Sequence, residues 1–431
     1  MNDVAVVGAG LAGCEAAYQL AERGVGVTLY DMKPSKLLAA YESADFAELV
    51  CSNSLRSDRL QNAAGLLKEE LRRLGSMIIQ AADENRVPAG GALAVDRVGF
   101  SRDVTRLVRS HPLITVVEEE VREIPECASI IATGPLTDGA LMDSIESLLG
   151  ESMHFFDAAA PIVTYDSLNM DKVFMASRYG RGSDYLNCPM NKEEYFSFVE
   201  ALKAADTAVL REFEDTKVFE GCMPVEVMAK RGDMTLAFGP LKPVGLMDER
   251  RTEKPFAVVQ LRRDDADGRL YNMVGFQTNL KFGEQKRVFS MIPGLENVEF
   301  VRYGVMHRNS YLNSPAKLGI DYCYNNSNIY FAGQITGVEG YVESIASGYT
   351  AGLNLARRCQ GKPAIDFTKK TAIGALSHYI SEYSGDDFQP MNINFGIIEG
   401  VQARIRNKQE RYAAVSARAL SVIDDIIANV L

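Results

Sequence analysis

At 431 residues, with 47% apolar and 24% charged residues, the chain is long enough for two or three domains with cores of their own. No apolar run approaches the roughly 18 residues a membrane span needs, and Met1, Asn2 and Asp3 lead directly into a β-branched run, so neither a membrane segment nor a signal peptide is expected. Seven scattered cysteines without C-x-x-C spacing, with only four histidines, argue for reduced thiols in a cytoplasm and against a metal site. The net charge of −11 disfavours a broad nucleic-acid-binding face, although local basic clusters interrupt it.

Residues 4–31 read VAVVGAGLAGCEAAYQLAERGVGVTLYD and organise the rest of the chain. Val4 to Val7 form a buried parallel strand by pattern. Gly8, Gly10 and Gly13 fall at G-x-G-x-x-G spacing, with Ala9, Leu11 and Ala12 between them. The first glycine permits the tight turn, the second lets backbone approach a pyrophosphate, and the third packs helix on strand. A helix over roughly Cys14 to Arg23 then aims its amides at the phosphates. Asp31, closing the second strand, can accept a ribose hydroxyl.

Residues 63–84 have the periodicity of one amphipathic helix. The segment from Pro88 reads as turn, strand, helix and a further strand ending near Val121, which places Val121 on the cofactor wall. Ser129 to Gly134 is a buried strand running into a turn, with Thr133 and Gly134 facing the nucleotide. From about residue 186 the pattern changes to a helix over Lys192 to Phe213 and then to short strands broken by Gly and Pro. Asn328 to Ala332 restores the buried strand. The following G-Q-I-T-G-V-E-G turn brings Gly333, Gln334 and Gly340 to a second helix N-terminus. The first and last segments should therefore share one sheet. The expected domains are 1–185 and 305–431, together forming an α/β FAD domain of the two-dinucleotide-binding, Rossmann-like type, and an inserted α+β domain at 186–304.

The strings VCSNSLRSD, DRVGFSRDVT, ATGPLT, EGCMPVE, FGPLKPVGL, GVMHRNSYLNSP, YFAGQITGVEGYVESIASG and FQPMNINFG run in order across nearly the whole chain. Together they resemble the folate- and FAD-dependent tRNA uracil-5-methyltransferases, smaller sisters of the GidA flavoproteins. Asp31 stands where that family is expected to carry Glu. The resemblance implies FAD as cofactor, methylenetetrahydrofolate as methylene donor, NADPH or NADH as reductant, and uridine 54 of the tRNA T-loop as substrate. The alternatives are the wobble-uridine-modifying sister flavoenzyme, which is longer and has a C-terminal helical domain, and an rRNA uracil methyltransferase. Outside this chemistry stand a disulfide reductase, disfavoured because no second cysteine closely follows Cys51, and a non-enzymatic FAD scaffold.

Uracil C5 is a poor nucleophile until a thiolate adds at C6 and turns the ring into an enolate, so a cysteine is wanted. The resemblance points to Cys222 as that nucleophile and to Cys51 as a second thiol facing the flavin. Cys14, on the first helix, reads as core. His307 could stack on a pterin or relay a proton, and Asn309 belongs to the same wall. Contacts to tRNA phosphates require Lys and Arg. Residues 401–420 hold five of them against one Glu, and smaller clusters occur at Lys230-Arg231, Arg262-Arg263 and Lys281-Lys286-Arg287. The oligomeric state is left open.

Overall fold

The computed structural model describes residues 4–37, 41–150, 153–208, 223–248, 250, 253–385, 388–403 and 405–431, with backbone alone at 153–157, 307 and 308. Strand β1 (Val4–Val7) leads through the glycine turn into helix α1 (Leu11–Ala21) and strand β2 (Val27–Tyr30). The helix begins three residues before its sequence-based start, because Gly10 itself serves as its N-cap. Next come β3 (Ser54–Ser57), α2 (Ala63–Arg73) and α3 (Met77–Glu84). The single helix expected over 63–84 is two. Gly75 takes φ +77°, and the Ser76 hydroxyl accepts from the Ile79 amide to cap a new helix.

Strands β4 (Arg86–Val87) and β5 (Ala92–Val95), helix α4 (Arg97–Ser110), β6 (Ile114–Val117) and β7 (Ser129–Ile131) come next. β6 stops at Val117, and Val121 lies in the loop beyond it. The chain then forms α5 (Gly139–Leu149), β8 (Met153–Ala158), β9 (Ile162–Thr164), β10 (Phe174–Met175), β11 (Tyr185–Met190) and α6 (Lys192–Ala204). Asn191 and Glu194 cap α6 reciprocally, as their three-residue spacing dictates. After α7 (Val225–Arg231) and α8 (Thr235–Phe238) come β12 (Ala257–Arg263), β13 (Leu270–Met273), α9 (Phe282–Phe289) and β14 (Phe300–Arg302). Last are β15 (Met306–Tyr311), β16 (Ile329–Phe331), α10 (Tyr341–Cys359), α11 (Ala372–Glu382) and α12 (Lys408–Asn429).

Five parallel strands, in the order β16-β7-β1-β2-β6, form the central sheet. Its first and last strands in sequence therefore do share one sheet, with β7 between them. Helices α1 and α10 pack on it backbone to backbone. A Cβ added at Gly348 would lie 2.2 Å from the Ala12 carbonyl oxygen, and one at Gly352 would lie 2.6 Å from that of Ala16. A second, antiparallel sheet has the order β10-β11-β12-β13-β9-β14 and its own core, drawn from residues 160 to 298. The expected boundary at 186 falls inside β11, and three-residue β9 belongs to this second sheet. We propose that the inserted unit begins near residue 160 and ends near 304.

Candidate active site

A cleft opens at the C-terminal ends of β1, β2, β7 and β16, where a doubly wound sheet presents its turns to a ligand. At the glycine turn, Gly8 has φ +98°, and a Cβ there would lie 2.7 Å from the Ala132 carbonyl oxygen. A Cβ at Gly13 would sit 1.8 Å from the oxygen of Gly8, whereas at Gly10 nothing lies within 4 Å. Gly8 and Gly13 are thus required by the protein's own packing. Gly10 keeps open a space that the protein leaves for something else. It caps α1 with no side-chain acceptor, so the first-turn amides of that helix, around cleft-lining Leu11 and Ala12, are directed at the cleft. Uncapped amides behind a bare backbone fit the pyrophosphate of a dinucleotide.

Asp31 holds this turn: its Oδ2 accepts from the Ala9 amide (2.6 Å) and its Oδ1 from the Lys33 amide (2.9 Å). Each carboxylate oxygen keeps a second lone pair for a ribose hydroxyl. Val121, Thr133 and Gly134 line the same cleft. So do Gly333 and Gln334, with the Gly333 amide on Ser347 Oγ (2.7 Å) and Gln334 Nε2 on Glu339 Oε2 (2.7 Å). Gly340, at φ +111°, caps α10, again with no side-chain acceptor. Two bare helix N-termini therefore meet one cleft.

Cys51 is half-buried and lines this cleft. Its amide and that of Ser52 both donate to the Tyr341 hydroxyl, at 2.9 and 3.2 Å. Burial pushes the Tyr341 phenol far above its ordinary range, the neighbouring Cys51 adds to the rise, and Arg97 opposes it. Behind this loop Arg97 donates to the Leu49 carbonyl and pairs with buried Asp264 (2.9 Å). Arg262 reaches from β12 to Asn53 Oδ1 (3.0 Å) and Ser52 Oγ (2.7 Å). Asn53 Nδ2 bridges the Val95 and Arg263 carbonyls. The inserted unit is thereby tied to the cysteine loop through buried charges.

A family profile described as GidA, glucose inhibited division protein A, matches residues 3–363. The chain is 59% identical over 428 residues to the methylenetetrahydrofolate–tRNA-(uracil-5-)-methyltransferase TrmFO of Acetivibrio thermocellus, covering 98% of both chains. It is 58% identical to the TrmFO of Listeria monocytogenes serovar 1/2a, covering 99% of both. The chain belongs to the TrmFO family. Its fold is that of the larger GidA from Aquifex aeolicus, with a TM-score of 0.69 at 15% identity, over 99% of this chain and 73% of that one.

For this TrmFO family member the cleft gathers Cys51, Asn309 and the cofactor-binding residues named from sequence except Gly13, which faces the Gly8 carbonyl instead. Cys222 lies outside the described residues. His307 sits on β15 with its backbone opposite Asp157 of β8, and its side chain lies outside the description. Cys14 is buried, its thiol pushed well up by burial and then by Asp31, and it donates to the Ala9 carbonyl (3.3 Å), as a core thiol should.

Among the basic clusters Arg262 needs correction, and several of the others are engaged in ion pairs or carbonyl contacts while staying at the surface. Arg262 is buried and engaged with Asn53 and Ser52, so it cannot meet a phosphate. Arg418 donates to the carbonyls of Lys370, Glu399 and Gly400. Arg287 and Lys281 pair with Glu284 and Asp206, at 2.6 and 3.2 Å. Arg406, Lys408 and Arg411 are exposed, as are Lys230, Arg231 and Lys286. Lys408 and Arg411 lie over the ring of Tyr412, which stacks on Phe395 with ring centroids 4.0 Å apart, while Arg404 lies outside the described residues. Sequence reasoning passed over Arg56, Arg97 and Tyr341. The last directly follows the cap glycine Gly340 and lines the same cleft.

Proposed function

We propose that FAD lies along the two helix N-termini of this cleft and that Cys51 and Cys222 are the working thiols. The protein acts as a methylenetetrahydrofolate–tRNA uracil-5-methyltransferase. In the proposed reaction the substrate is uridine 54, NADPH or NADH is the reductant, and the enzyme works in the cytoplasm. Bound FAD supplies the redox chemistry that turns a methylene unit into a methyl group.

The chain's own residues do the rest. The α1 amides and Asp31 hold the dinucleotide, and Gly10 leaves room for its phosphates. Cys222 adds through Sγ to uracil C6, which raises electron density at C5, and leaves again once C5 has been alkylated and has lost its proton. Cys51 Sγ, fixed through its amide to Tyr341, handles a proton at the flavin side of the cleft. Asn309 and His307 contribute to the wall that receives the folate. The observation carrying this reading is the placement of half-buried Cys51 in the same cleft as the bare N-termini of α1 and α10.

Single-turnover methylation and trapping with a 5-fluorouridine tRNA mini-helix test it. Cys222→Ala should abolish both the covalent complex and methylation while retaining FAD. Cys51→Ala should impair turnover with an altered flavin spectrum. A covalent complex that survives Cys222→Ala and disappears in Cys51→Ala would reverse the assignment.

A further inference from the structure

Arg56 carries an unusual amount of supporting structure. Its backbone takes the left-handed conformation, φ +63°, which side-chain-bearing residues avoid unless neighbours impose it. Lys68 imposes it: its buried ammonium donates to the carbonyls of Leu55 (2.8 Å) and Ser57 (2.7 Å), the residues on either side of Arg56. The guanidinium so presented lines the cleft, with its side chain 38% exposed, and is paired with Glu343, which is wholly buried.

Glu343 is the third residue of α10. Its Oε1 also accepts from the Ile393 amide (2.8 Å), and its Oε2 has no hydrogen-bond partner. Both groups converge on the cap glycine. A Cβ on Gly340 would lie 2.5 Å from Glu343 Oε2 and 3.2 Å from Arg56 Nη2. A cation, a buried carboxylate with an unused lone pair and a bare helix N-terminus thus meet at the α10 end of the cleft. Neither the thiol chemistry nor the pyrophosphate seat needs this pair.

We infer that Arg56 sets the charge balance at the isoalloxazine end of FAD, its guanidinium favouring the negative charge that two-electron reduction places on the N1–C2 carbonyl edge, with Glu343 as the buried counterweight that moderates it. The inference rests on the FAD reading above. It has a sign that a packing role lacks. Removing the cation must disfavour reduced flavin, and removing the carboxylate must favour it.

The experiment is the midpoint potential of the purified, FAD-loaded protein, measured by equilibration with a reference dye. Arg56→Gln should lower the reduced-to-oxidised ratio at a given potential on the order of tenfold, equivalent to about 30 mV for a two-electron couple. Arg56→Lys should lower it less. Glu343→Gln, which keeps the shape and an acceptor for Ile393, should raise it by a similar factor. Shifts of one sign in both Arg56→Gln and Glu343→Gln, or no shift in either, would overturn the inference. So would Arg56→Gln with an unchanged potential and weakened methylenetetrahydrofolate binding, which would assign the guanidinium to the folate carboxylates. Wild-type protein that takes up no FAD would overturn the cofactor reading as well, so the two failures are distinguishable.

Discussion

The two inner glycines of the turn should fail in opposite ways. At Gly13 an added methyl would sit 1.8 Å from the Gly8 oxygen, about 1.7 Å inside the roughly 3.5 Å at which carbon packs on its neighbours. Helix α1 must then move off the turn, and α10, packed backbone to backbone against it, must move as well. Overpacking of this kind costs about 1–3 kcal/mol and occasionally more. At the upper figure, and at about 2–4 °C per kcal/mol for a unit of this size, Gly13→Ala should lower the melting temperature of the FAD-free protein by about 6–12 °C. At Gly10 nothing lies within 4 Å of the added Cβ, and φ is −75°, which any residue adopts. Gly10→Val should cost the apo fold only about 1 kcal/mol, the usual loss at a helix cap. Its branched side chain occupies the space left for the pyrophosphate, so FAD affinity should fall by on the order of 100-fold, about 3 kcal/mol. Circular dichroism melts of the apo forms and the 450-to-280 nm absorbance ratio after gel filtration read the two effects separately. If Gly10→Val emerges yellow, the phosphates are not where the bare amides place them. If apo Gly13→Ala melts with the wild type, Gly13 does not press on the Gly8 carbonyl.

Stability should depend on pH through two neighbours on α2. Burial pushes Glu70, whose carboxylate accepts from the Ala372 and Ile373 amides, up to about 7 from 4.5, so the folded protein retains a proton that the unfolded chain has lost. That contribution is complete below about pH 4.5 and is lost as pH rises to about 7, amounting to about 3 kcal/mol at most. Burial pushes Lys68 down to about 7 from 10.5, so its contribution is complete above about pH 10.5 and is lost as pH falls towards 7. Glu70→Gln should flatten the acid side of the melting-temperature profile, and parallel profiles for variant and wild type would refute the assignment. Binding of tRNA should weaken steeply with salt, and Arg406→Glu with Lys408→Glu should lower the log–log slope by about one for each phosphate no longer neutralised. Unchanged affinity would move the RNA footprint away from the start of α12.

The parts legible in sequence were those encoded within about 30 residues. The fingerprint from Val4 to Asp31 carries strand, turn, helix and acid in one stretch, and all four are present in that order, the helix starting three residues earlier than its pattern. The edge of the inserted unit was not legible, because β9 is three residues long and pairs with β13 and β14 more than 100 positions away. Three residues show no period. Arg262 misled for a related reason. Beside Arg263 it looks like a surface pair, yet successive strand residues face opposite ways, and 262 faces inward. Its partners Ser52 and Asn53 lie more than 200 residues earlier, so no local signal marks a buried cation that locks two units together. Tyr341 and Arg56 went unremarked although both fall within the family's motif strings, because their roles depend on what the chain brings beside them.

The crossing of α10 over α1 has a consequence for how such an enzyme can diverge. Where helices meet through leucines or valines, their spacing can drift by fractions of an ångström as side chains are exchanged. Where Gly348 and Gly352 meet the carbonyls of Ala12 and Ala16, the smallest heritable change is a whole methyl group, which would land 2.2 or 2.6 Å from an oxygen. Intermediate steps do not exist at that seam. A lineage can therefore change what it methylates, or the potential at which it works, only by editing loops and the inserted unit. The spacing of the two helices is thus the part of the site that can change only in methyl-sized, destabilising steps.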